Sequence, residues 1–381
     1  MPDIDKADPD AIRSDLDKQT IALIDKIARE VRTNIENGTL PVISLPVRSL
    51  SNVIYDRTKG YFELGGAKKL RTLTVNTARS FAQTLRMISI ARSMVENHDF
   101  ATKREAYYIS KNWGDCRFDD QAESDAIIDD IEALASMQGL SREQLRFYPE
   151  SHGGSVAGRL TIIDQNPATG EVIEIDCAGL GSGAYMIPRS VDHLSFRTEA
   201  KFVLAIETGG MFQRLNNHRF WESSNCIIVE MGGVPTRATR RFIRLLSDKR
   251  NLPVYCFVDC DPYGIANIYR TLKVGSGNAA HINQFFCVPR ARFLGITPRD
   301  IFDFGLEDAT HPLSKTDIKR AEDALHNDPF IIAHPEWGAA IKQMLKMGVR
   351  AEQQALAKWG LNYVIDEYLP KKLANKDSFL P

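Results

Sequence analysis

KFVLAIE at 201–207, CIIVEM at 226–231 and VYCFVDCD at 254–261 decide how this chain folds. Each is a continuous apolar run rather than an alternating one, the pattern of a strand covered on both faces. Between the second and third runs lies TRATRRFIRLLSDKR, residues 236–250, which reads as a helix. Strand, helix, strand is a βαβ unit and implies a mostly parallel sheet. KFVLAI stops at Glu207, and VYCFV stops at Asp259 and Asp261. In open α/β sheets, ligands gather at the carboxyl ends of the strands, so these acids stand where chemistry is expected.

Residues two apart on a strand point the same way, so Asp259 and Asp261 project together if the strand persists that far. Two carboxylates facing one spot repel each other and raise each other's pKa unless a cation neutralises them. Hard oxygen ligands with no His or Cys suit Mg²⁺. The expected site is therefore an E…DxD arrangement of Glu207, Asp259 and Asp261. The competing reading makes DCDPYG a turn whose acids are solvated. Over the intervening helix, Arg237, Arg240, Arg241 and Arg244 recur at helical spacing, followed by Lys249 and Arg250. Arginine forks suit phosphates, and an unpaired solvated face is the alternative. Lys68 and Lys69 with Arg71, and Lys103 with Arg104, form smaller basic clusters.

The whole chain casts no electrostatic vote for nucleic acid: 48 Lys and Arg stand against 49 Asp and Glu among 381 residues, a net charge of −1. Any contact with a polyanion must come from local patches such as these. The hydrophobic fraction, 43%, is enough to fill real cores, so wholesale disorder is excluded. No apolar run approaches the length of a membrane span. The opening MPDIDKADPDAIRSDLDK is acidic and lacks the apolar segment of a secretory signal, so a cytoplasmic setting is expected. The six cysteines form no CxxC pair and the eight histidines no HxH or HExxH pattern, which points to structural cysteines and away from zinc.

Working towards the N-terminus, RLTIID, NPATG and EVIEIDC read as a hairpin, and GLGSG (179–183) as a flexible connection rather than a phosphate loop. Residues 1–15 read as a polar, mobile tail. Leu16, Thr20, Ile24, Ile27, Val31 and Ile35 predict a helix over 16–36 whose stripe closes on the chain's own core or on a partner. Extended pieces follow over 40–66. A helix over 72–97 carries Val75, Ala78, Phe81, Leu85 and Ile88; another over 120–138 carries Ile127, Ile128, Ile131, Leu134 and Ala135 and stops at Gly139. Between them, Thr102-Lys-Arg-Glu105 is a capping box opening a short helix with Arg104, Tyr107 and Tyr108. Three helices followed by short strands resemble a helix-turn-helix or winged-helix unit. The expected division is 1–66, an extension with a partner- or core-docking helix; 67–150, a winged-helix domain; 151–198, hairpin and glycine-rich connection; and 199–381, an α/β domain with C-terminal helices including SKTDIKRAEDALH, GAAIKQMLKMG and RAEQQALAKWG. A tyrosine phenol, with a pKa near ~10, is a weak nucleophile unless something favours the phenolate. Arg104 lies four residues before Tyr108, on the same helical face, where a fixed cation could do so.

Taken in order, TKREAYYISKNWG, QAESDAIIDDIE, AIETGGMFQRL, GGVPTRATRRFIRLL, FVDCDPYGI and AEQQALAKWGLNYVIDEYLP resemble the A subunits of archaeal topoisomerase VI, and more distantly the meiotic double-strand-break transesterase of eukaryotes. The similarity runs from about residue 40 to 373. The resemblance implies a winged-helix domain of the catabolite-activator type followed by a Toprim domain binding Mg²⁺. It implies Tyr108 as nucleophile, Arg104 as its supporting cation, and Glu207, Asp259 and Asp261 as the Toprim acids. Ala106 stands where the family more often has a larger aliphatic. It further implies double-stranded DNA as substrate, held by Arg237, Arg240, Arg241, Arg244, Lys103, Lys68 and Lys69. Its implied assembly is an A2B2 heterotetramer, in which a homodimer of A subunits is joined to ATP-using B subunits, nucleoid-associated in an archaeal cytoplasm. This chain has no P-loop, so ATP belongs to the partner. Rival readings are a break-forming relative without strand passage, a Toprim-type metal-dependent nuclease, a non-enzymatic DNA-binding protein and a magnesium-dependent phosphohydrolase.

Overall fold

The structure, a computed structural model, describes residues 9–166 and 169–381. In chain order its first part runs α1 (Pro9–Glu36), β1 (Val42–Pro46), β2 (Val53–Asp56), β3 (Tyr61–Leu64), β4 (Lys68–Thr72), α2 (Ala78–Glu96), β5 (Ala101–Thr102), α3 (Lys103–Ile109), α4 (Gln121–Ser136) and β6 (Phe147–Tyr148). Then come β7 (Ser155–Gly158), β8 (Thr161–Gln165), β9 (Val172–Asp176), β10 (Tyr185–Met186), β11 (Ser195–Arg197), β12 (Val203–Ile206), α5 (Gly209–Asn217), α6 (Phe220–Ser223), β13 (Ile227–Glu230), α7 (Arg237–Lys249), β14 (Val254–Phe257) and β15 (Arg292–Gly295).

The three apolar runs become β12, β13 and β14. They lie in a six-stranded sheet of order β10-β7-β13-β12-β14-β15. β12 pairs parallel with β13 and β14, and β14 parallel with β15, whereas β7 and β10 add an antiparallel edge. Every residue of β12 and β14 is buried, which is why these stretches carry no polar alternation. Ile206 stands opposite both Glu230 and Phe257, so the three carboxyl ends are level and the acids follow at one edge. Residues 151–198 therefore do more than connect: besides the expected hairpin of β8 and β9, they supply two strands to the main sheet.

A second, separate core holds the N-terminal helices. Leu23, Ile24, Ile27 and Val31 of α1 pack with Phe81, Met87, Ile88 and Ala91 of α2 and with Ile127, Ile128 and Ile131 of α4. The stripe of α1 thus closes on the chain's own core, one of the two expected alternatives. Burial of these aliphatics stabilises the helix by roughly 1.5–3 kcal/mol per side chain, and of the stripe only Ile35 stays exposed. Residues 9–15 belong to α1 rather than to a loose tail; the remainder of the expected tail, 1–8, lies outside the described residues. α2 starts at Ala78, later than expected, and Val75 is 97% exposed. The Thr77 hydroxyl meets the Thr74 amide at 2.9 Å and the Thr72 carbonyl, and this local bonding holds a turn where the helix was expected to begin. Gly139, at φ +79°, ends the α4 region as expected, in a conformation that costs other residues more.

The boundary at 66 is not clean. Phe62 of β3 belongs to the sheet core, its amide reaching the Val274 carbonyl and its carbonyl accepting from Asn283 Nδ2 at 2.8 Å. Of the C-terminal helices, Lys315–Asn327 and Pro335–Met347 form as expected, the first with a Ser314–Asp317 capping box. RAEQQALAKWG instead makes a 3₁₀ segment, Gln353–Trp359, because the Gln353 side chain is drawn into the sheet edge.

Candidate active site

Glu207 follows β12 directly and Asp259 lies two residues past β14. One Glu207 carboxylate oxygen accepts from the Asp259 amide at 2.9 Å. Asp259 Oδ1 in turn accepts from the Gln353 amide at 2.8 Å. The Gln353 side chain donates to the Phe257 carbonyl at 2.6 Å and accepts from the Thr208 hydroxyl at 3.0 Å, tying β12, β14 and the 3₁₀ segment into one frame. Asp261 accepts from the Gly264 amide and faces Arg350 at 3.7 Å. The strand does not persist as expected: it ends at Phe257, and Asp261 serves partly as the turn former of the competing reading.

Burial and mutual repulsion dominate the electrostatics. Desolvation, then Asp259, then Asp261 and Glu352, push the Glu207 carboxyl up to about 7. Burial likewise lifts Asp259 to about 6, with Asp261 and Glu352 adding to it against Arg350. Asp261 is raised by burial, with its Gly264 hydrogen bond and Arg350 opposing. The donor set is thus all hard oxygen, held in low dielectric with one guanidinium nearby, which fits a divalent cation of the Mg²⁺ type. Among the described residues no three His, Cys, Asp or Glu side chains converge as a ready cage, so the expected three-way meeting is present only as the Glu207–Asp259 contact. Like charges crowded at a strand end relieve their repulsion by each taking a separate amide or cation.

Sequence reasoning missed Thr208, Arg350 and Gln353. Nothing in their spacing marks them: Arg350 and Gln353 reach the acids from a segment some ninety residues downstream, and Gln353 is fully buried there.

Tyr108 stands on α3, on the other core. The Thr102–Glu105 box is formed in full: the Glu105 amide meets the Thr102 hydroxyl at 3.1 Å, and the Glu105 carboxylate takes the Thr102 amide at 2.7 Å. Ala106 is completely buried, which sets the face of the helix that turns outward. Tyr108 is 57% exposed, and Arg104 is exposed on the same face. Tyr107 instead is half-buried, with its hydroxyl directed to the Asp119 carbonyl and the Lys111 ammonium 4.2 Å above its ring. Of the pair, Tyr108 is the more exposed. Within one chain, Tyr108 and the three acids share neither a core nor a hydrogen bond among the described residues.

The arginine stripe does not form an open phosphate-binding face. Arg237 is bidentate to Glu143, at 2.8 Å from each nitrogen, and also meets Glu132 of α4. Arg241 bonds Asp192 at 2.6 Å and the Phe285 carbonyl at 3.0 Å. Arg240 is buried over the Phe286 ring. A desolvated guanidinium must be paired or stacked, and α7 uses its charges to fasten the helical unit to the sheet. Arg244 meets Asp248 and the Cys287 carbonyl and still borders a cavity. Lys103 pairs with Asp129, and Lys69 with Asp130 at 2.9 Å; Lys68 is exposed. All six cysteines are free, and five are buried. No helix among the described residues is long and apolar enough to cross a membrane.

Family models match three consecutive stretches. "Type IIB DNA topoisomerase" covers 79–146, and "All-beta domain in DNA topoisomerase VI alpha subunit" covers 150–200. The Toprim domain shared by the topoisomerase 6 A subunit and Spo11 covers 202–373. Curated relatives named as the A subunit of type 2 DNA topoisomerase 6 are similar over nearly the whole length. The protein of Methanocaldococcus jannaschii is 53% identical over 356 residues, 93% of this chain and 95% of the relative. Those of Halobacterium salinarum and Archaeoglobus fulgidus are 36% and 34% identical, covering 91% and 94% of this chain and 94% and 98% of the relatives. With strand-end acids, an outward tyrosine and this coverage in agreement, the chain belongs to the A-subunit family of topoisomerase VI, within the type II DNA topoisomerases.

Proposed function

We propose that this chain makes a transient double-strand break by tyrosine transesterification. The phenolic oxygen of Tyr108 attacks a backbone phosphorus, the bond from phosphorus to the 3′ oxygen breaks, and the phosphorus stays linked to the tyrosine and to the 5′ end. The phenol proton is given up and the 3′ oxygen leaves as a hydroxyl, so charge and atoms balance. Because the phosphotyrosine keeps the ester, religation needs no nucleotide hydrolysis. The observation that carries this reading is the outward Tyr108 on a box-capped helix beside a half-buried Tyr107.

Glu207, Asp259 and Asp261 would hold Mg²⁺, which supplies positive charge against the developing negative charge at the scissile phosphate. Glu207 acts as a ligand or as the proton donor to the departing oxygen, a role its raised pKa suits. The succession α2, β5, α3, α4, β6 supports a winged-helix unit of the catabolite-activator type. Separation of Tyr108 from the acids within one chain supports a homodimer in which the tyrosine of one protomer works at the carboxylates of its partner. The relatives' names support a B-subunit partner; an A2B2 heterotetramer, with ATP used by that partner and with the DNA of an archaeal nucleoid as substrate, completes the proposal. Lys68, Lys69, Lys103 and Arg244 remain the candidates for phosphate contact.

The test is covalent trapping. With ATP, Mg²⁺ and a B subunit present, supercoiled plasmid should be relaxed, and denaturation during turnover should leave protein on 5′ ends. Hydrolysed ends without protein would instead establish a nuclease, and adducts without relaxation a break-forming relative.

A further inference from the structure

On the sheet edge opposite the acids, a cavity of about 470 Å³ opens between the β2–β3 hairpin tip and the end of α7. Asp248 precedes β14 and Arg290 precedes β15, and these strands run parallel, so both residues mark the amino-terminal edge. The cavity size falls within the ~300–1,000 Å³ typical of ligand sites. Its cationic lining is Arg57, Lys59, Arg244, Lys273 and Arg290, against the single acid Asp248.

The hairpin tip is built, not loose. Asp56 Oδ1 accepts from the Thr58 and Lys59 amides at 2.8 and 3.0 Å, which sets the turn. Gly60, at φ +77°, closes it against Pro289, where an added Cβ would come within 3.2 Å of the proline. Phe62 then anchors the hairpin in the sheet core, under the Arg270 guanidinium. Across the cavity, the buried Lys273 ammonium donates to the Pro289 and Ala291 carbonyls at 3.0 and 2.7 Å. Burial pulls its pKa down to about 8, so the protein holds a desolvated cation beside others of the same sign. Arg57 makes no hydrogen bond or ion pair among the described residues.

We propose that this cavity binds a phosphate group, held by Arg57 and Arg290 at its mouth and by the cationic field of Arg244 and Lys273 behind them. The wall offers cationic donors on four separate segments against one carboxylate, the chemistry of oxyanion recognition. The site is remote from the carboxylates and needs no metal, so it does not depend on the cleavage chemistry; Arg244 is the one residue it shares with the proposed DNA contacts.

The full chain, kept in EDTA, is titrated calorimetrically with inorganic phosphate, alongside the Arg57→Gln/Arg290→Gln double variant and Asp248→Asn. The double variant should lose about tenfold or more in affinity. Asp248→Asn should bind more tightly, because the one acid is gone. A wild-type protein that gives no phosphate binding overturns the proposal, as does a double variant with unchanged affinity or weaker binding by Asp248→Asn. Duplex DNA titrated across salt then identifies the source. A log–log slope reduced by about 1 in the double variant assigns the site to a DNA backbone phosphate. An unchanged slope with phosphate binding lost assigns it to a soluble phosphate compound. Tyr108→Phe, which abolishes cleavage on the proposed mechanism, should bind phosphate as wild type does, so the two readings fail separately.

Discussion

Two adjacent tyrosines on one short helix differ in what surrounds them, and on the proposed mechanism that difference points to Tyr108 as the nucleophile. Tyr108→Phe should abolish covalent protein–DNA adducts and leave duplex binding within about twofold in an anisotropy titration. Tyr107→Phe should retain adducts; loss of adducts in Tyr107→Phe alone would move the nucleophile. The carboxylates give a second prediction. Glu207 and Asp259 have raised folded pKa values, about 7 and 6, so the folded state holds more protons than the unfolded one above pH ~4. Their contribution to stability is full below pH ~4 and is lost progressively as pH rises from there to about 7. In EDTA the melting temperature should therefore sag over that interval. Mg²⁺ should restore it more at pH 8 than at pH 5, and Glu207→Gln should flatten the sag; equal Mg²⁺ effects at both pH values would count against the site. At this scale the sequence was informative where a residue's chemistry is local. Glu207, Asp259 and Asp261 sit beside strand ends that their neighbours announce, whereas Gln353 and Arg350 reach the same place from far down the chain, and no spacing rule brings them there.

Helix α3 has only seven residues, too few to hold itself together by backbone bonds alone. Its capping box supplies part of the difference. Thr102→Ala should cost about 1 kcal/mol in urea unfolding and reduce adduct yield by loosening the base of Tyr108, while Thr102→Ser should be nearly silent. The box was legible because capping depends on residues three apart. The arginines of α7 illustrate the opposite case. Their period was read correctly, and Phe242, Ile243 and Leu246 do bury the inner face. Their partners, Glu132, Glu143 and Asp192, lie on other elements, so charge count alone suggested a phosphate-binding face where the fold has an internal clamp. The α2 boundary failed for a similar reason: threonine side chains competed with the helix for backbone groups.

Across the whole molecule, two cores meet at Arg237. Glu132 is held well below the usual carboxylate range: Arg237, His281 and Arg142 overcome its burial. Because its folded pKa is depressed, its stabilisation is present above pH ~4.5 and lost as pH falls below that, the reverse of the Glu207 effect. Arg237→Met would leave Glu132 and Glu143 buried without their cation, a loss of about 3–5 kcal/mol. Differential scanning calorimetry should show one transition in wild type and an earlier, separate melting of the helical unit in the variant; a single unshifted peak would mean that the clamp is dispensable. The parallel sheet and both cores were legible from apolar patterning, but their seam was not, because it is written in scattered charges. That fastening has a mechanical corollary. With the helical unit and the sheet fastened to each other by Arg237 and Arg241, α3 and the strand-end acids of one protomer keep a fixed separation. On the proposed mechanism, a gate for a second duplex would then open where two protomers abut, and the strain of opening would be borne by the contacts between them.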